Sequence, residues 1–268
     1  MVSEWRIDVA VLNVHRFGAA AGAPLLAIHG VFADGSRYRP LADEGLPGLR
    51  WLAVDLRGPG GSTWDPPWNA EQHVADLLET LDAEGIARCH VIGHSFGGFL
   101  TTLLAATVPD RVETMVLLDP VIAQEPVFMR KAAEEMQVDD GWASEAEARA
   151  DALESHPPQA QRYINPDLDA LLEHLPSGRW RLRYSRPAMV AALGEMARSA
   201  VSLRGFPGRA LLVPALRDEL VGPRQIEHLQ GDLGDRLTVR GVDGGHDLYW
   251  DAFDELVGVL RDWYPTHP

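Results

Sequence analysis

The sequence predicts an α/β fold in which a doubly wound, mostly parallel β-sheet is flanked by helices. Short apolar runs alternate along the chain with stretches that have helical spacing. Strands without polar alternation are buried on both faces, as in a parallel sheet covered by helices. The alternation of strand and helix is that of repeated β-α units, which build such a sheet. At 268 residues the chain has the size of one large domain.

The strands are predicted from β-rich and continuously apolar runs. Two short runs at the start, Arg6–Val11 and Val14–Phe17, predict an opening hairpin. Buried strands are then expected at Pro24–Ile28, Trp51–Val54, Cys89–Ile92, Val112–Leu118, Ala210–Val213 and Leu237–Val242.

The helices between these strands are predicted from apolar side chains that recur on one helix face. A stretch over Gly97–Val108 is rich in Leu and Ala and ends before Pro109. Two further stretches have the i, i+3, i+4, i+7 spacing, one at Val74, Leu77, Leu78 and Leu81, the other at Phe253, Leu256, Val257 and Leu260.

The interval 120–205 departs from the alternation, because it has helix signals but no convincing strand. The helix signals are a capping box at Ser144 and Glu147, an N-cap at Asn165 before Pro166, and a helical stretch over Pro187–Ala200. We therefore expect residues 120–205 to form a helical cap inserted into a core made of residues 1–119 and 206–268.

The composition narrows the function. The formal net charge of −15 disfavours nucleic acids and anionic membrane surfaces as partners and is compatible with a neutral substrate. Cys89 has no second cysteine with which to form a disulfide. The chain shows neither a secretory leader pattern nor an apolar run near the ~20 residues that span a bilayer, so a cytoplasmic location is expected.

One motif identifies a candidate nucleophile. Gly93-His94-Ser95-Phe96-Gly97 matches G-x-S-x-G between a predicted strand and a predicted helix. This motif holds a serine on a strained strand-to-helix turn, where flanking glycines relieve crowding. A serine hydroxyl needs an adjacent imidazole to take its proton during attack. The sequence thus predicts Ser95 as the nucleophile of a hydrolase.

Four further segments, in the same order along the chain, make it resemble the α/β-hydrolase superfamily, and in particular its serine esterases and lipases with a helical cap. Each follows a predicted strand. They are His29-Gly30-Val31-Phe32, the D-x-R-G-x-G-x-S loop from Asp55 to Ser62, Asp218-Glu219-Leu220-Val221, and Gly244-Gly245-His246.

The resemblance implies His246 as the general base and Asp218 as the carboxylate that orients it. Asp119 is the alternative acid, since it ends the predicted strand Val112–Leu118. With Asp218 in the role, Asp218→Asn should lower the catalytic constant at least about a hundredfold and Asp119→Asn far less. The other histidines, His73 among them, are expected on surface helices and loops, while His29 and His94 are expected to brace the site.

The resemblance also implies the backbone N–H groups of Val31 and Phe96 as the oxyanion hole. Candidate substrate-binding side chains are Phe32, Trp142, Met129 and Tyr184, although core packing would explain them equally well. We expect neither a cofactor nor a metal site. Asp55 and Arg57 are interpreted as structural.

The predicted function is hydrolysis of a small, largely apolar carboxylic ester through an acyl-enzyme on Ser95. The same triad could act on a lactone, thioester, amide or carbon–carbon bond, because pocket shape decides the substrate. A small-molecule receptor with little turnover is the non-enzymatic alternative. The expected partner is a small-molecule ester, and the sequence leaves the oligomeric state open.

Overall fold

The computed structural model describes residues 9–138 and 141–264. The strands are β1 Val14–Gly18, β2 Pro24–Ile28, β3 Arg50–Val54, β4 Cys89–His94, β5 Val112–Leu118, β6 Leu172–His174, β7 Trp180–Leu182, β8 Arg209–Val213 and β9 Leu237–Val239. The α-helices are α1 Ala70–Ala83, α2 Phe96–Thr107, α3 Pro126–Val138, α4 Glu145–Glu154, α5 Gln161–Leu171, α6 Arg186–Met196, α7 Pro223–Leu233, α8 Leu248–Asp251 and α9 Phe253–Trp263.

Seven strands form the main sheet in the order β1-β3-β2-β4-β5-β8-β9. All neighbours pair in parallel except β1, which runs antiparallel to β3. The chain therefore builds the sheet outward from β2 in one direction and then outward from β4 in the other. The predicted doubly wound α/β fold is confirmed.

Apolar side chains cover both faces of the sheet, as continuous apolar strands require. Along β2, Leu26 and Ile28 face one apolar cluster with α1 and α2, and Leu25 and Ala27 face the opposite cluster with α9. On the α1 face Val74, Leu77 and Leu81 are buried, and on the α9 face Phe253, Leu256, Val257 and Leu260 are buried. Leu78 is only partly buried and packs at the edge of its cluster.

The predicted opening hairpin is wrong over the residues that the structure describes. Residues 6–8 lie outside the described part of the chain, and residues 9–13 form no strand. Instead, the backbone N–H of Ala10 donates to Asp76 Oδ1, and that of Leu12 donates to Thr80 Oγ1, both at 2.9 Å. Side chains of α1 thus take the hydrogen bonds that a hairpin partner would have taken.

Between β5 and β8 the chain forms α3 to α6 together with a small antiparallel hairpin of β6 and β7. The hairpin corrects the expectation that this interval contains no strand. Its turn is closed by the N–H of Leu175, which donates to the carbonyl of Arg179 at 2.8 Å, and it includes Gly178 at φ 82°. Pro-Ser-Gly is the turn signal that marks this hairpin in the sequence.

A second correction concerns α5, which begins at Gln161 and runs through Pro166. Proline inside a helix costs about 3 kcal/mol. The helix offsets this cost because it buries Tyr163, Ile164, Leu168 and Leu171, each contributing about 1.5–3 kcal/mol. The predicted cap at Ser144 is confirmed, since its side chain accepts a hydrogen bond from the N–H of Glu147 at 3.1 Å.

The segment between β5 and β8 is fastened to the core at several points. The N–H of Ser185 donates to the carbonyl of Gly58 at 2.9 Å, and Arg37 forms a largely buried ion pair with Asp167 at 2.8 Å. These contacts place α6, and Tyr184 two residues before it, over the carboxyl ends of the central strands. Among the described helices, none has the length and apolar character needed to cross a membrane.

Candidate active site

Ser95 lies on a sharp turn between β4 and α2, with φ 55° and ψ −118°. This positive φ is unusual for a residue with a side chain and marks local strain. The turn is held by the N–H of Ser95, which donates to the carbonyl of Leu118 at 3.1 Å. A Cβ on Gly97 would lie 2.0 Å from the Ile28 carbonyl oxygen, and one on Gly93 would lie 2.3 Å from the Gly97 carbonyl oxygen. Both motif positions therefore require glycine.

The imidazole of His246 is bound by Asp119, which directly follows β5. His246 Nδ1 lies 2.6 Å from Asp119 Oδ2, and Asp119 is fully buried. The other carboxylate oxygen, Oδ1, accepts a hydrogen bond from the N–H of Ala215 at 3.0 Å. Each carboxylate oxygen thus accepts its own hydrogen bond, and together the two bonds fix the orientation of the carboxylate relative to the imidazole ring.

This geometry corrects the expected pairing of Asp218 with the imidazole. Asp218 is exposed, and its Oδ2 accepts a hydrogen bond from the backbone N–H of His246 at 2.5 Å. It contacts the loop that carries the histidine, while the ring itself is bound by Asp119. Asp119, the alternative acid of the sequence analysis, is the carboxylate that contacts the ring.

The surroundings of His246 raise its pKa. Burial alone would lower it, but the hydrogen bond that the ring donates to Asp119 and the negative charges of Asp247, Asp119 and Asp218 outweigh burial. His94 lies beside it, with ring centroids 4.6 Å apart. Burial and the nearby His246 lower the pKa of His94 to about 3, so His94 is neutral. Its Nε2 therefore carries the proton, which it donates to the His246 carbonyl at 2.9 Å.

The loop after β2 lies against Ser95. A Cβ on Gly30 would lie only 2.9 Å from Ser95 Cβ, and the next residue is Val31. Buried His29 braces this loop, because its Nδ1 donates to the Gly30 carbonyl at 2.6 Å and its Nε2 accepts from the Leu56 N–H at 2.9 Å. Phe96 is the first residue of α2, where a backbone N–H has no partner within the helix.

A narrow cavity adjoins these two backbone positions and has room for about one water-sized group. It is closed on one side by the loops after β2 and β3 and by α1, and on the other by α6. Its lining residues are His29, Gly30, Val31, Leu56, Arg57, Pro59, His73, Phe96, Ala188, Met189 and Ala192. His73 is only 2% exposed, which corrects its expected place on a solvated surface.

The four predicted pocket side chains divide into two pairs. Phe32 and Tyr184 meet edge to face at 5.3 Å and pack with Met189, so they lie beside the cavity. Trp142 pairs through its backbone with Trp180, and its indole N–H donates to Asp151 at 3.1 Å.

Met129 is buried in the larger apolar cluster together with Leu193 and Met196 of α6. The contacts of Trp142 and Met129 therefore hold the β5–β8 segment together, and the structure does not bring these two side chains to the cavity.

The loop after β3 lies next to the site and is held by buried polar side chains. Arg57 and Asp76, both buried, pair through two hydrogen bonds of 2.8 and 3.0 Å. Asp55, Asp34 and His15 place potential metal-ligand atoms within 4.8 Å of one another, a cluster that sequence spacing did not indicate. Asp55 alone accepts hydrogen bonds from the backbone N–H groups of Gly35 and Gly61 and from the side chains of Asn13 and His15. Because the carboxylate oxygens already accept these hydrogen bonds, Asp55 is better explained as a residue that holds the surrounding loops in place than as a ligand of a cation.

Comparisons with known proteins agree with this architecture. A family model described as alpha/beta hydrolase fold matches residues 23–253. Lipase LipV of Mycobacterium tuberculosis is 35% identical over 257 residues, which cover 93% of this chain and 96% of that protein. Esterase YbfF of Escherichia coli is 29% identical over 245 residues, covering 89% and 92%. Among solved structures, E-2-(acetamidomethylene)succinate hydrolase superposes with a TM-score of 0.80 at 19% identity, covering 94% of each chain, which shows a shared fold. The chain belongs to the alpha/beta hydrolase fold family.

Proposed function

We propose that this protein is a serine hydrolase that cleaves carboxylic esters of small, largely apolar substrates through an acyl-enzyme on Ser95. The observation that carries the proposal is the 2.6 Å contact between Asp119 and His246 Nδ1, made beside the strained turn that holds Ser95. Two relatives, one named a lipase and the other an esterase, support ester hydrolysis over other reactions of the fold.

In this mechanism Asp119 accepts a hydrogen bond from the Nδ1–H group of His246, which keeps the ring proton on Nδ1 and leaves Nε2 free to act as a base. Nε2 takes the proton of the Ser95 hydroxyl as Oγ attacks the carbonyl carbon of the ester. Negative charge develops on the carbonyl oxygen, and the backbone N–H groups of Val31 and Phe96 stabilise it. The C–O bond then breaks, and the departing alcohol takes the proton from His246.

The second half of the cycle repeats these steps with water. His246 removes a proton from a water molecule that attacks the acyl carbon, and the same N–H groups stabilise the second tetrahedral intermediate. The carboxylic acid leaves as Ser95 Oγ recovers its proton. Asp119 remains ionised throughout and stabilises the positive charge that His246 carries in each transition state.

The proposed substrate size follows from the walls of the cavity. Phe32, Tyr184, Ala188 and Met189 form an apolar boundary next to the proposed oxyanion donors. Three of these four side chains come from residues 120–205, which we propose act as a helical cap over the core. Because the cavity is narrow, we expect short acyl chains to be hydrolysed faster than long ones.

A covalent probe tests the proposal directly. A fluorophosphonate should label the wild-type protein and fail to label Ser95→Ala, while the exposed-serine variant Ser177→Ala should label like the wild type. A series of 4-nitrophenyl esters, run beside lactones and thioesters, measures the preferred bond and chain length. A folded wild-type protein that neither labels nor hydrolyses any member would contradict the proposal and favour the small-molecule receptor.

A further inference from the structure

Two buried polar groups beside the active site have no hydrogen-bond partner within residues 9–138 and 141–264. One is Nδ1 of His73, and the other is the indole Nε1 of Trp68. Buried polar atoms in folded proteins are nearly always paired, so each exception needs a physical explanation. Two exceptions five residues apart, at the start of α1, indicate a shared cause.

His73 lines the narrow cavity, and Trp68 adjoins one of its walls. His73 lines it directly and meets the ring of Phe96 edge to face at 5.5 Å. Trp68 packs against the small apolar cluster of Tyr184, Ala188 and Met189, of which Ala188 and Met189 line the same cavity from α6. The His73 imidazole therefore borders a space whose wall is mostly apolar apart from His29 and Arg57, and the Trp68 indole packs against the apolar cluster that forms the α6 side of that space.

The neighbouring polar side chains are already engaged with other partners. Arg57 and Asp76 pair with each other, and both ring nitrogens of His29 have hydrogen bonds. Burial lowers the pKa of His73 to about 4, so at neutral pH its ring offers one N–H donor and one acceptor. Trp68 offers a donor alone. The missing partner must be able to accept a hydrogen bond.

The cavity lies on the acyl side of the reaction centre. Its lining includes Val31 and Phe96, whose N–H groups are the proposed donors to the carbonyl oxygen. Among the described residues that line the cavity, His246 is absent. His246 must face the alcohol part of the ester in order to protonate it. A group entering this cavity is therefore attached to the acyl carbon.

From this placement, and resting on the proposed function, we infer that the preferred acyl group is short and carries a keto or hydroxyl oxygen that accepts a hydrogen bond from Trp68 or His73. Met189 is the flexible wall that moves to admit it, because an unbranched thioether side chain repacks readily. A site built to hydrogen-bond a substrate rejects an analogue that lacks the group, since its own polar atoms are then left unpaired.

The test compares matched pairs of 4-nitrophenyl esters, pentanoate with 4-oxopentanoate and butanoate with 3-hydroxybutanoate. Each rate is divided by the rate of hydroxide-catalysed hydrolysis to remove differences in intrinsic reactivity. In the wild-type enzyme we expect kcat/KM to favour at least one oxygenated ester by about tenfold or more. Trp68→Phe and His73→Phe should lower that ratio at least about fivefold, because the loss falls mainly on the oxygenated ester.

Matched controls separate the subsite from general damage. Trp64→Phe and His174→Phe change exposed residues of the same types and should keep the wild-type ratio. The inference is overturned if the wild-type enzyme has the same corrected kcat/KM for the two members of each pair. It is also overturned if the variants lose kcat/KM equally on both members of a pair. Absence of fluorophosphonate labelling at Ser95 would instead refute the proposed function, and the inference would fall with it.

Discussion

Replacing Asp119 with asparagine distinguishes the two candidate acids through the hydrogen bonds of the carboxylate. Asp119 Oδ1 accepts from the N–H of Ala215, a backbone group that can only donate. In Asp119→Asn the amide oxygen must therefore stay with Ala215, and the amide NH₂ faces His246. That NH₂ donates to Nδ1, which forces the ring proton onto Nε2. Nε2 can then no longer accept the proton of Ser95.

Two effects set the expected magnitude. Opposite charges about 4 Å apart attract by about 4 kcal/mol at an effective dielectric constant near 20, and this stabilisation of the charged imidazole disappears. At about 1.4 kcal/mol per factor of ten, the loss is roughly 10³-fold in rate. The wrong tautomer adds to it, so we expect the catalytic constant to fall by about 10³ to 10⁴.

Asp218→Asn is the matched control. Asp218 is exposed, so its charge is screened by solvent, and the amide oxygen of asparagine can still accept from the backbone N–H of His246. We expect its catalytic constant to stay within about tenfold of wild type.

The assay is steady-state hydrolysis of a 4-nitrophenyl ester, with circular dichroism and thermal unfolding to show that both variants fold. A larger loss in Asp218→Asn than in Asp119→Asn would refute the reasoning and return the acid role to Asp218.

Three further predictions follow from other parts of the structure. The pKa of His246 is raised, and the proposed base must be neutral to act, so kcat/KM should fall as pH drops through a midpoint above about 6.5. A pH profile whose acidic midpoint lies below that value would contradict the proposed effect of the neighbouring carboxylates on His246. Gly97→Ala should destabilise the protein by at least about 2 kcal/mol, because a Cβ would meet the Ile28 carbonyl. Gly194→Ala has open space around it in α6 and should stabilise the protein by about 0.5–1 kcal/mol. Denaturant unfolding measures both changes. Asp76→Ala removes the carboxylate partner of buried Arg57 and should cost about 3–5 kcal/mol in the free energy of unfolding while folded enzyme keeps its activity; a cost below about 1 kcal/mol would show that the pair is dispensable.

The sheet was predictable because its strands are buried on both faces. A strand of this kind is an uninterrupted apolar run, and such runs gave the bounds of β2 and β5 as the structure has them. The amphipathic face of α9 was predictable for a related reason, since one buried stripe imposes the helical period on the sequence.

Segments held by specific side-chain contacts were not predictable. Residues 9–13 have strand-like composition, but Asp76 and Thr80 of α1 take their backbone hydrogen bonds. Pro166 looks like a helix start, but burial of the α5 stripe outweighs its cost. In both cases a contact distant in sequence decides the local conformation, and local pattern contains no record of it.

The residues of the candidate site likewise divide into those that the sequence could predict and those that it could not. Ser95, Val31 and Phe96 sit within a few residues of strand ends, so their motifs indicate where the chain turns. His73 lies inside a helix and looks like any polar residue of an amphipathic segment. Only the tertiary structure, which places the ring against Phe96 of α2, shows that it is buried beside the cavity.

The choice between Asp119 and Asp218 depends on how adjacent strands are aligned. Leu118 pairs with His94 on one side and with Val213 on the other, so the residues that follow β4 and β5 leave the sheet at the same level. The N–H of Ser95 bonds to the carbonyl of Leu118, and the N–H of Asp119 bonds to the carbonyl of Val213. These two backbone hydrogen bonds thus fix the separation of the proposed nucleophile and the proposed acid before any loop contributes. Asp218 lies five residues beyond β8 on an exposed loop, where no comparable constraint holds its side chain against the ring. Changes of loop length after β8 should therefore be tolerated better than any change that shifts β5 against its neighbours.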